Sequence, residues 1–346
     1  MEKMLRTEDF SYYLPSELIA QEPLKQRDKS RMLVLRKDTG KIEHSHFKSL
    51  PLYLNEGDVI VLNDTRVIPA RLKGVKKDTG GKVELLLLHP IEGEEKWEAL
   101  CSPGKKVPPG AVLSFGGGEI EANVMDRTTS GGRIVNFTSS KPIREVLYAL
   151  GEVPLPPYIK KALDSKERYQ TIYAQKEGSV AAPTAGLHFT PNLLEKLESR
   201  GIKIAYLTLH VGLDTFRPLN SNYVEEHEIH SEYFELPAKT ADTINHAREK
   251  GNRIIAVGTT CCRVLETLGD EYGKVREERG ETNLFIYPGH SFKVVDAMVT
   301  NFHLPRSTVL VMICAFGGTE EVLAAYREAV KERYRFYSFG DAMLIL

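Results

Sequence analysis

Residues 178–190 read GSVAAPTAGLHFT, and a short helical pattern then leads into a strand-like run that ends in HVGLDTF at 210–216. The first segment combines small residues, two glycines, a proline and a histidine with no apolar period of 2 or 3.6. Because such a loop cannot become ordered by burying its own side chains, tertiary packing or a ligand must hold it. The loop and the strand end flank a strand–helix–strand unit, which puts both at one edge of a sheet. Open α/β sheets bind their ligands at that edge.

Strand and helix patterns alternate around this loop. Thr190 and Pro191 predict the N-cap and first residue of a helix that ends at Gly201. Strand patterns follow at 202–209, 253–257 and 294–300. Repeated strand–helix–strand units favour a largely parallel sheet with right-handed crossovers. The predicted class is therefore α/β, with a mixed, largely parallel sheet and helices.

Residues 67–153 have a different sequence pattern. Strand-sized segments alternate there with turn clusters such as DTGG at 78–81 and GGG at 116–118. Turn signals spaced by about 8 to 12 residues are typical of an all-β barrel or sandwich. We predict a small β-barrel domain at 67–153, inserted between the first part of the α/β domain at 1–66 and its second part at 154–346. The second part is expected to hold the main substrate site.

Composition restricts the class of protein. The 346 residues include 46 Lys plus Arg and 47 Asp plus Glu, so no overall charge indicates a nucleic-acid partner, although a local basic face stays possible. Four cysteines without a CxxC motif favour reduced thiols over disulfides or a zinc site. The N-terminus has no apolar signal-peptide core, and the longest apolar run, at 308–316, is far shorter than the about 20 residues of a spanning helix. We expect a soluble, cytoplasmic protein without a metal or membrane partner.

Three features have both a chemical and a purely structural interpretation. Gly258, Thr259 and Thr260 open a helix after the strand RIIAV and could receive an anion, or they could form a tight turn with a threonine N-cap. His188 and His210 are placed for acid–base chemistry, although loop histidines are often only structural.

Other polar and thiol groups favour the structural interpretation. His227 and His230 lack a third metal ligand and are more simply a hydrogen-bonded pair, and the adjacent thiols at 261 and 262 favour buried packing. Basic residues could line a groove that follows phosphates, or could simply be solvated; they are Lys73, Lys76, Lys77, Lys105, Lys106, Lys160, Lys161, Arg168, Lys331, Arg333 and Arg335.

Nine sequence blocks together resemble one family, the S-adenosylmethionine:tRNA ribosyltransferase-isomerases of queuosine biosynthesis. The blocks occur in the family's order over residues 10–346: LIAQEP with SRMLVL, GDVIVLNDTRVIPARL, PLPPYIK with RYQTIYA, GSVAAPTAGLHFT, HVGLDTF, VGTTCCRVLE, TNLFIYPGH, DAMVTNFHLPRST and YRFYSFGDAML. The resemblance implies an α/β fold with a barrel insertion, a monomer, and S-adenosylmethionine as co-substrate with no prosthetic group. It also implies transfer and isomerisation of the ribosyl moiety onto 7-aminomethyl-7-deazaguanine (preQ1) at the wobble position of a tRNA with a GUN anticodon. Epoxyqueuosine would form, and adenine and methionine would leave.

The chemistry so implied assigns roles to residues of the shared blocks. His188 and His210 are the proton-transfer candidates, and Thr259, Thr260 and Arg263 would hold a carboxylate or another anion. The substrate-binding candidates are Thr184, Ala185, Gly186, Gly212, Thr215, Gly258, Thr259, Thr260, Arg263, Asp296, Asn301 and His303. Asp214 stands where family members usually carry glycine, and Cys261 and Cys262 stand where they usually carry serine or threonine followed by valine, which weakens a direct catalytic role for these three residues.

Two other classes of protein are alternatives to this interpretation. A non-catalytic tRNA-binding protein would bind RNA without releasing adenine. A conventional methyltransferase would need a glycine-rich loop after its first strand and an acidic ribose ligand about 20 residues further on. The sequence contains neither feature.

Overall fold

The described part of the chain divides into two compact units. The computed structural model describes residues 4–128, 131–212, 219 and 221–346. One unit, here called the sheet unit, comprises Met1–Thr65, Pro157–Lys176 and Ala182–Leu346. The other, the barrel unit, comprises Arg66–Pro156 and Glu177–Ala181.

The strands and helices follow one another along the chain in the order that their numbers give. The strands are β1 (Arg31–Arg36), β2 (Lys41–His46), β3 (Val59–Asn63), β4 (Thr65–Val67), β5 (Arg71–Lys76), β6 (Lys82–Glu92), β7 (Lys96–Ser102), β8 (Val112–Phe115), β9 (Ile120–Arg127), β10 (Arg133–Ser139), β11 (Lys176–Ser179), β12 (Lys203–Leu209), β13 (Glu232–Leu236), β14 (Ile254–Val257), β15 (Glu278–Thr282), β16 (Ala297–Asn301) and β17 (Ala342–Ile345). The α-helices are α1 (Ile143–Leu150), α2 (Pro191–Ser199), α3 (Ala238–Glu249), α4 (Thr259–Leu268), α5 (Thr308–Gly317) and α6 (Thr319–Lys331).

A mixed sheet organises the sheet unit. Its strand order among the described residues is β15-β13-β12-β3-β14-β16-β17-β1-β2. Strands β12, β3, β14 and β16 run parallel to one another, so their carboxyl ends meet at one edge. All five residues of the central strand β3 are buried, as expected for a parallel strand covered on both faces. The predicted α/β class with a largely parallel sheet is confirmed.

Helix α2 shows how local sequence fixes an element of this unit. The hydroxyl of Thr190 accepts a hydrogen bond from the Leu193 N–H (3.2 Å), and Pro191 occupies the first helical position. Leu193 and Leu197, one turn apart, are buried in the core beneath the sheet. Burying each leucine stabilises the fold by about 2 kcal/mol. The predicted cap and first helical residue are confirmed.

The barrel unit is a closed antiparallel barrel. Its strand order is β10-β7-β6-β5-β8-β9, and side chains along strands such as β9 alternate between buried and partly buried positions. The predicted all-β barrel insertion is confirmed. The unit also contains α1, which the sequence analysis did not predict, and the returning segment 177–181, where the Ser179 carbonyl accepts a hydrogen bond from the Ile68 N–H (2.9 Å).

Helices α5 and α6 are the only pair of neighbouring helices in the described chain whose combined length and apolarity suffice for a membrane span, and they bend by 115° at their junction. No single described helix is long and apolar enough to cross a membrane.

Candidate active site

A cleft of about 660 Å³ lies in the sheet unit at the carboxyl ends of the parallel strands. Three chain segments meet there: the loop after 182, the junction between β14 and α4, and the residues at the end of β16. Seven of the residues that line it are substrate-binding candidates from the sequence, namely Thr184, Ala185, Gly258, Thr259, Thr260, Asn301 and His303. We call this cavity the main cleft.

The N-terminus of α4 forms one wall of the main cleft. Gly258 has a φ of 84°, which favours glycine, and its N–H donates to the carbonyl of Val299 on β16 (2.7 Å). The next two residues, Thr259 and Thr260, open the helix, so their N–H groups have no acceptor within the helix. Free N–H groups and the helix dipole together favour an anion at this position.

Asn63 fixes this helix end to the sheet. Its side-chain amide donates to the hydroxyl of Thr260 (3.2 Å) and to the carbonyl of Leu209 (2.9 Å), and it is buried at the end of β3. Its carbonyl oxygen accepts from the Leu209 N–H (3.1 Å). The carboxyl ends of β3 and β12 and the first turn of α4 are thereby held in one arrangement.

Asn301 has an acceptor left without a partner. Its Nδ2 donates to Nε2 of His188 (3.2 Å) and to the carbonyl of Tyr337 (3.2 Å). Its buried Oδ1 has no hydrogen-bond partner among the described residues. Because an unpaired buried acceptor is costly, this oxygen suits a donor group of a ligand in the main cleft.

His188 lies behind Asn301 and does not line the main cleft. Because Asn301 donates to Nε2, the ring proton is on Nδ1, which donates to the hydroxyl of Ser30 (2.8 Å). The ring stacks on Phe47, with centroids 4.9 Å apart. Burial, aided by the positive charges of Arg27 and Arg335, lowers the pKa of His188 to about 3. His188 is therefore neutral at physiological pH.

His210 also stands outside the main cleft, although its neighbour Val211 lines it. Nδ1 of His210 is 2.8 Å from the Thr65 hydroxyl, and the ring stacks on Tyr233. Burial and the nearby Lys176 lower the pKa of His210 to about 4. This imidazole is neutral too.

His303 is the histidine among the candidates that lines the main cleft. Its Nε2 is 2.6 Å from the Thr300 hydroxyl, and its backbone carbonyl accepts a hydrogen bond from the Tyr12 hydroxyl. The dehydrated surroundings lower the pKa of His303 to about 3. A neutral imidazole here can orient polar groups of a ligand without adding positive charge.

A second cleft of about 540 Å³ adjoins the first, and Thr259, Thr260 and Val309 line both. Arg263 and Gly212 line this second cleft rather than the first. The guanidinium of Arg263 is bonded to the carboxylate of Glu232 and to the carbonyls of Leu284 (3.0 Å) and Thr282 (3.1 Å). Glu232 in turn accepts from the Gly212 N–H (2.6 Å).

The structure corrects the expected position of Asp296. The sequence pattern placed this residue inside a strand at 294–300 that ends at the site, but β16 begins only at Ala297. The Asp296 carboxylate accepts hydrogen bonds from Arg248 (3.0 Å) and from the Ile254 N–H (2.8 Å). These bonds hold it at the amino-terminal edge of the parallel strands, opposite the main cleft, so Asp296 is not a contact of a ligand bound there.

Three further expectations have different outcomes. A side chain at Gly186 would collide with the Tyr173 hydroxyl, which accounts for the glycine by packing. Cys261 and Cys262 are completely buried, and burial raises the pKa of both thiols. Thr215, like Asp214, lies outside the described residues.

Sequence reasoning missed an aromatic pair in the main cleft. The rings of Tyr158 and Tyr337 are 4.6 Å apart, and the Tyr158 hydroxyl is 2.7 Å from that of Ser338. Tyr337 has a φ of 69°, a strained backbone for a tyrosine, and its buried hydroxyl has no partner in the described chain. The blocks PLPPYIK and YRFYSFGDAML contain these residues, but their aromatic composition could not be distinguished from core packing.

Among the described residues, no three His, Cys, Asp or Glu side chains cluster as metal ligands. The fold and the cleft thus define an α/β protein with a small-molecule site at the carboxyl edge of a parallel sheet, beside a helix end that favours anions.

Known proteins agree with this architecture. The profile of a family described as "Queuosine biosynthesis protein" matches residues 7–345. An S-adenosylmethionine:tRNA ribosyltransferase-isomerase of Acetivibrio thermocellus is 57% identical and covers 99% of this chain and all of its own. One of Natranaerobius thermophilus is 54% identical and covers 99% of each. A crystal structure of an S-adenosylmethionine tRNA ribosyltransferase from Thermotoga maritima, 41% identical, superposes with a TM-score of 0.56 over 98% of this chain and 100% of its own.

The chain therefore belongs to the S-adenosylmethionine:tRNA ribosyltransferase-isomerase family of queuosine biosynthesis, a family of transferases. This confirms the resemblance seen in the nine sequence blocks.

Proposed function

We propose that this protein transfers and isomerises the ribosyl moiety of S-adenosylmethionine onto preQ1 at the wobble position of a GUN-anticodon tRNA. The products are epoxyqueuosine in the tRNA, adenine and methionine. One observation carries the proposal: residues from three separate shared blocks, around 184, 259 and 301, line one cleft at the ligand-binding edge of the sheet. The protein acts as a monomer in this proposal.

The main cleft offers complementary groups for S-adenosylmethionine. The cleft is concave and lies where open α/β sheets bind small molecules. The free N–H groups and hydroxyls of Thr259 and Thr260 suit the methionine carboxylate. The unpaired Oδ1 of Asn301 suits an amino group, and the Tyr158–Tyr337 pair offers aromatic faces to the adenine or to the sulfonium. Thr184, Ala185 and His303 supply further contacts.

The neighbouring cleft offers space for a second group. It shares Thr259, Thr260 and Val309 with the main cleft, so ligands in the two clefts would meet beside the N-terminus of α4. Transfer between two substrates needs such a meeting point, because positioning the reacting atoms removes much of the entropic barrier. Gly212 and Arg263 contribute to this second cleft, and we retain Thr215 as a candidate contact on sequence grounds alone.

The reaction needs proton transfers at defined points. A sulfonium makes the adjacent ribose 5′ C–H acidic, so a base must remove that proton, and adenine must be stabilised as it leaves. We propose His188 and His210 as the proton-transfer groups, each worth about 10²–10⁴-fold. Their lowered pKa values keep both rings neutral, so each has an unprotonated nitrogen, but they also make each ring a weaker base than free imidazole. His188 reaches the main cleft through Asn301, so its direct participation requires that the Asn301 amide releases Nε2.

Adenine release measured together with the modified nucleoside tests this function. Purified protein is mixed with S-adenosylmethionine and preQ1-containing tRNA, and adenine is quantified alongside the mass of the wobble nucleoside. We expect adenine and an epoxyqueuosine mass in equal amounts, and a loss of both on His188→Ala or His210→Ala. Full activity in either variant would remove that histidine from the mechanism. Tight tRNA binding without adenine would instead establish a non-catalytic binding protein.

A further inference from the structure

A third cavity, which we call the arginine cleft, lies on the other side of His188. It measures about 300 Å³ and is lined by Arg27, Arg168, His188 and Ser338, among others. Both arginines are partly exposed, so the cleft opens to solvent. None of its arginines has a role in the reaction described above.

The guanidinium groups at this cleft are bound to neutral acceptors. Nη1 and Nη2 of Arg27 donate to the carbonyls of Leu187 (3.2 Å) and Glu167 (3.1 Å). Nη2 of Arg168 donates to the carbonyl of Leu24. No carboxylate of the described residues lies within ion-pair distance of either arginine. The positive charge is therefore not neutralised by direct contact.

Two nearby carboxylates, those of Glu22 and Asp341, attract Arg335, and neither forms an ion pair with Arg27 or Arg168. Glu22 is bonded to Lys161, and Asp341 accepts from the backbone N–H groups of Arg31 (2.9 Å) and Arg335 (2.8 Å). Glu167 attracts Arg27 only at longer range. By contrast, Lys73 and Lys77 of the barrel unit each contact a glutamate at 2.7 Å.

The arginines at and beside this cleft lie close enough to repel one another and His188. Burial and the charge of Arg168 lower the pKa of Arg27, and the charges of Arg27 and Arg335 help to lower that of His188. Nη1 of Arg335 is also buried without a partner in the described chain. Backbone carbonyls hold the planar groups in place, while several N–H donors remain for a ligand. Fixed guanidinium forks of this kind are suited to bidentate binding of phosphate.

We propose that the arginine cleft binds a backbone phosphodiester of the RNA substrate beside the nucleotide that is modified. This inference rests on the proposed function. Ser338 lines both the main cleft and the arginine cleft, and His188 lines the latter while it is bonded to Asn301 of the former. The modified nucleotide must meet the ligand of the main cleft, so a phosphate that flanks this nucleotide can reach the wall that Arg27 and Arg168 form.

The test is RNA binding as a function of salt. A labelled preQ1-containing anticodon stem–loop is titrated with wild type, Arg27→Gln, Arg168→Gln and a matched control, Arg200→Gln, at several KCl concentrations. Arg200 is an exposed arginine at the end of α2, near the amino-terminal edge of the sheet, so its variant removes the same charge elsewhere. Loss of one charge-assisted phosphate contact should weaken binding at least about 10-fold for each cleft variant. The slope of log K against log salt should also fall by about 0.7.

Further measurements distinguish loss of folding from loss of RNA binding, and binding of RNA from binding of a free anion. Arg168→Lys keeps the charge but not the fork, and should show an intermediate affinity with the wild-type salt slope. Thermal melting of every variant, with and without inorganic phosphate, shows whether it is folded and whether the cleft prefers the free ion.

The outcomes are distinguishable. Wild type that releases adenine while Arg168→Gln and Arg27→Gln bind RNA like Arg200→Gln would overturn the inference alone. Phosphate-dependent stabilisation without any RNA effect would overturn it in favour of a free-anion site. Wild type that binds no RNA and releases no adenine would overturn the proposed function and this inference with it.

Discussion

Burial keeps the histidines around the main cleft in their neutral form. His188, His210 and His303 all have pKa values of about 3 to 4, chiefly because burial disfavours the charged ring. The sequence indicated which histidines lie near the site, since they belong to the glycine-rich loop and to strand ends. It could not show that His188 reaches the site through Asn301, because that depends on side-chain directions set by packing.

Replacing Asn301 by aspartate should change the protonation of His188. The substitution exchanges the amide that donates to Nε2 for a carboxylate that can only accept, which favours a proton on Nε2 and raises the pKa of His188. NMR titration of the histidine rings should show His188 neutral from pH 7 to 5 in wild type and titrating in that range in Asn301→Asp. An unchanged titration of His188 in the variant would show that Asn301 does not control its protonation.

The same burial makes stability depend on pH. A histidine with a folded pKa of about 3 and an unfolded pKa of about 6.5 binds more protons when unfolded over that interval, so stability falls as pH falls below about 6.5. For His188 the loss should reach roughly 2 kcal/mol at pH 5. Urea unfolding at pH 7 and pH 5 should therefore show a smaller drop in His188→Gln than in wild type. Equal drops in the two proteins would contradict a neutral, buried His188.

Secondary-structure elements were predicted well where short-range chemistry determines them. The Thr190 cap and Pro191 fixed the start of α2, and the Gly258–Thr260 signal marked the start of α4. The start of β16 was placed too early, because Asp296 is held by a distant arginine, Arg248, which no local pattern reveals. Helix α1 was missed since its segment follows a long series of strand signals.

The junction between β14 and α4 yields a prediction with a matched control. Gly258 and Gly251 both have positive φ, 84° and 73°, and an added Cβ would make no close contact at either position. Alanine at Gly251 should cost about 1–2 kcal/mol of stability from backbone strain. Alanine at Gly258, whose ψ of 158° places it in a region that almost only glycine adopts, should cost about 1–3 kcal/mol. Only Gly258→Ala should also raise the KM for S-adenosylmethionine, by about 10-fold, because it displaces the free N–H groups of α4. Denaturation and steady-state kinetics measure both effects, and equal KM values in the two variants would contradict an anion site at this helix end.

The division of the chain into a sheet and a barrel could be predicted from the pattern of the sequence. Alternating strands and helices predicted the sheet, and closely spaced turn signals predicted the barrel. The return of 177–181 to the barrel unit was not predictable, because those few residues adjoin the loop of the main cleft in sequence. The arginine cleft was predictable only in part: Arg168 is among the basic residues that could follow phosphates, whereas Arg27, 141 positions away in the sequence, is not.

Transfer of the ribosyl group, rather than the methyl group, distinguishes the proposed reaction from that of a methyltransferase. The most direct measurement uses two preparations of S-adenosylmethionine, one labelled with ¹⁴C in the ribose and one in the methyl group, each incubated with protein and preQ1-containing tRNA of GUN anticodon. The account predicts that the ribose label appears in the tRNA in step with free adenine, while the methyl label stays with methionine. Methyl label in the tRNA, or no label from either preparation, would contradict it.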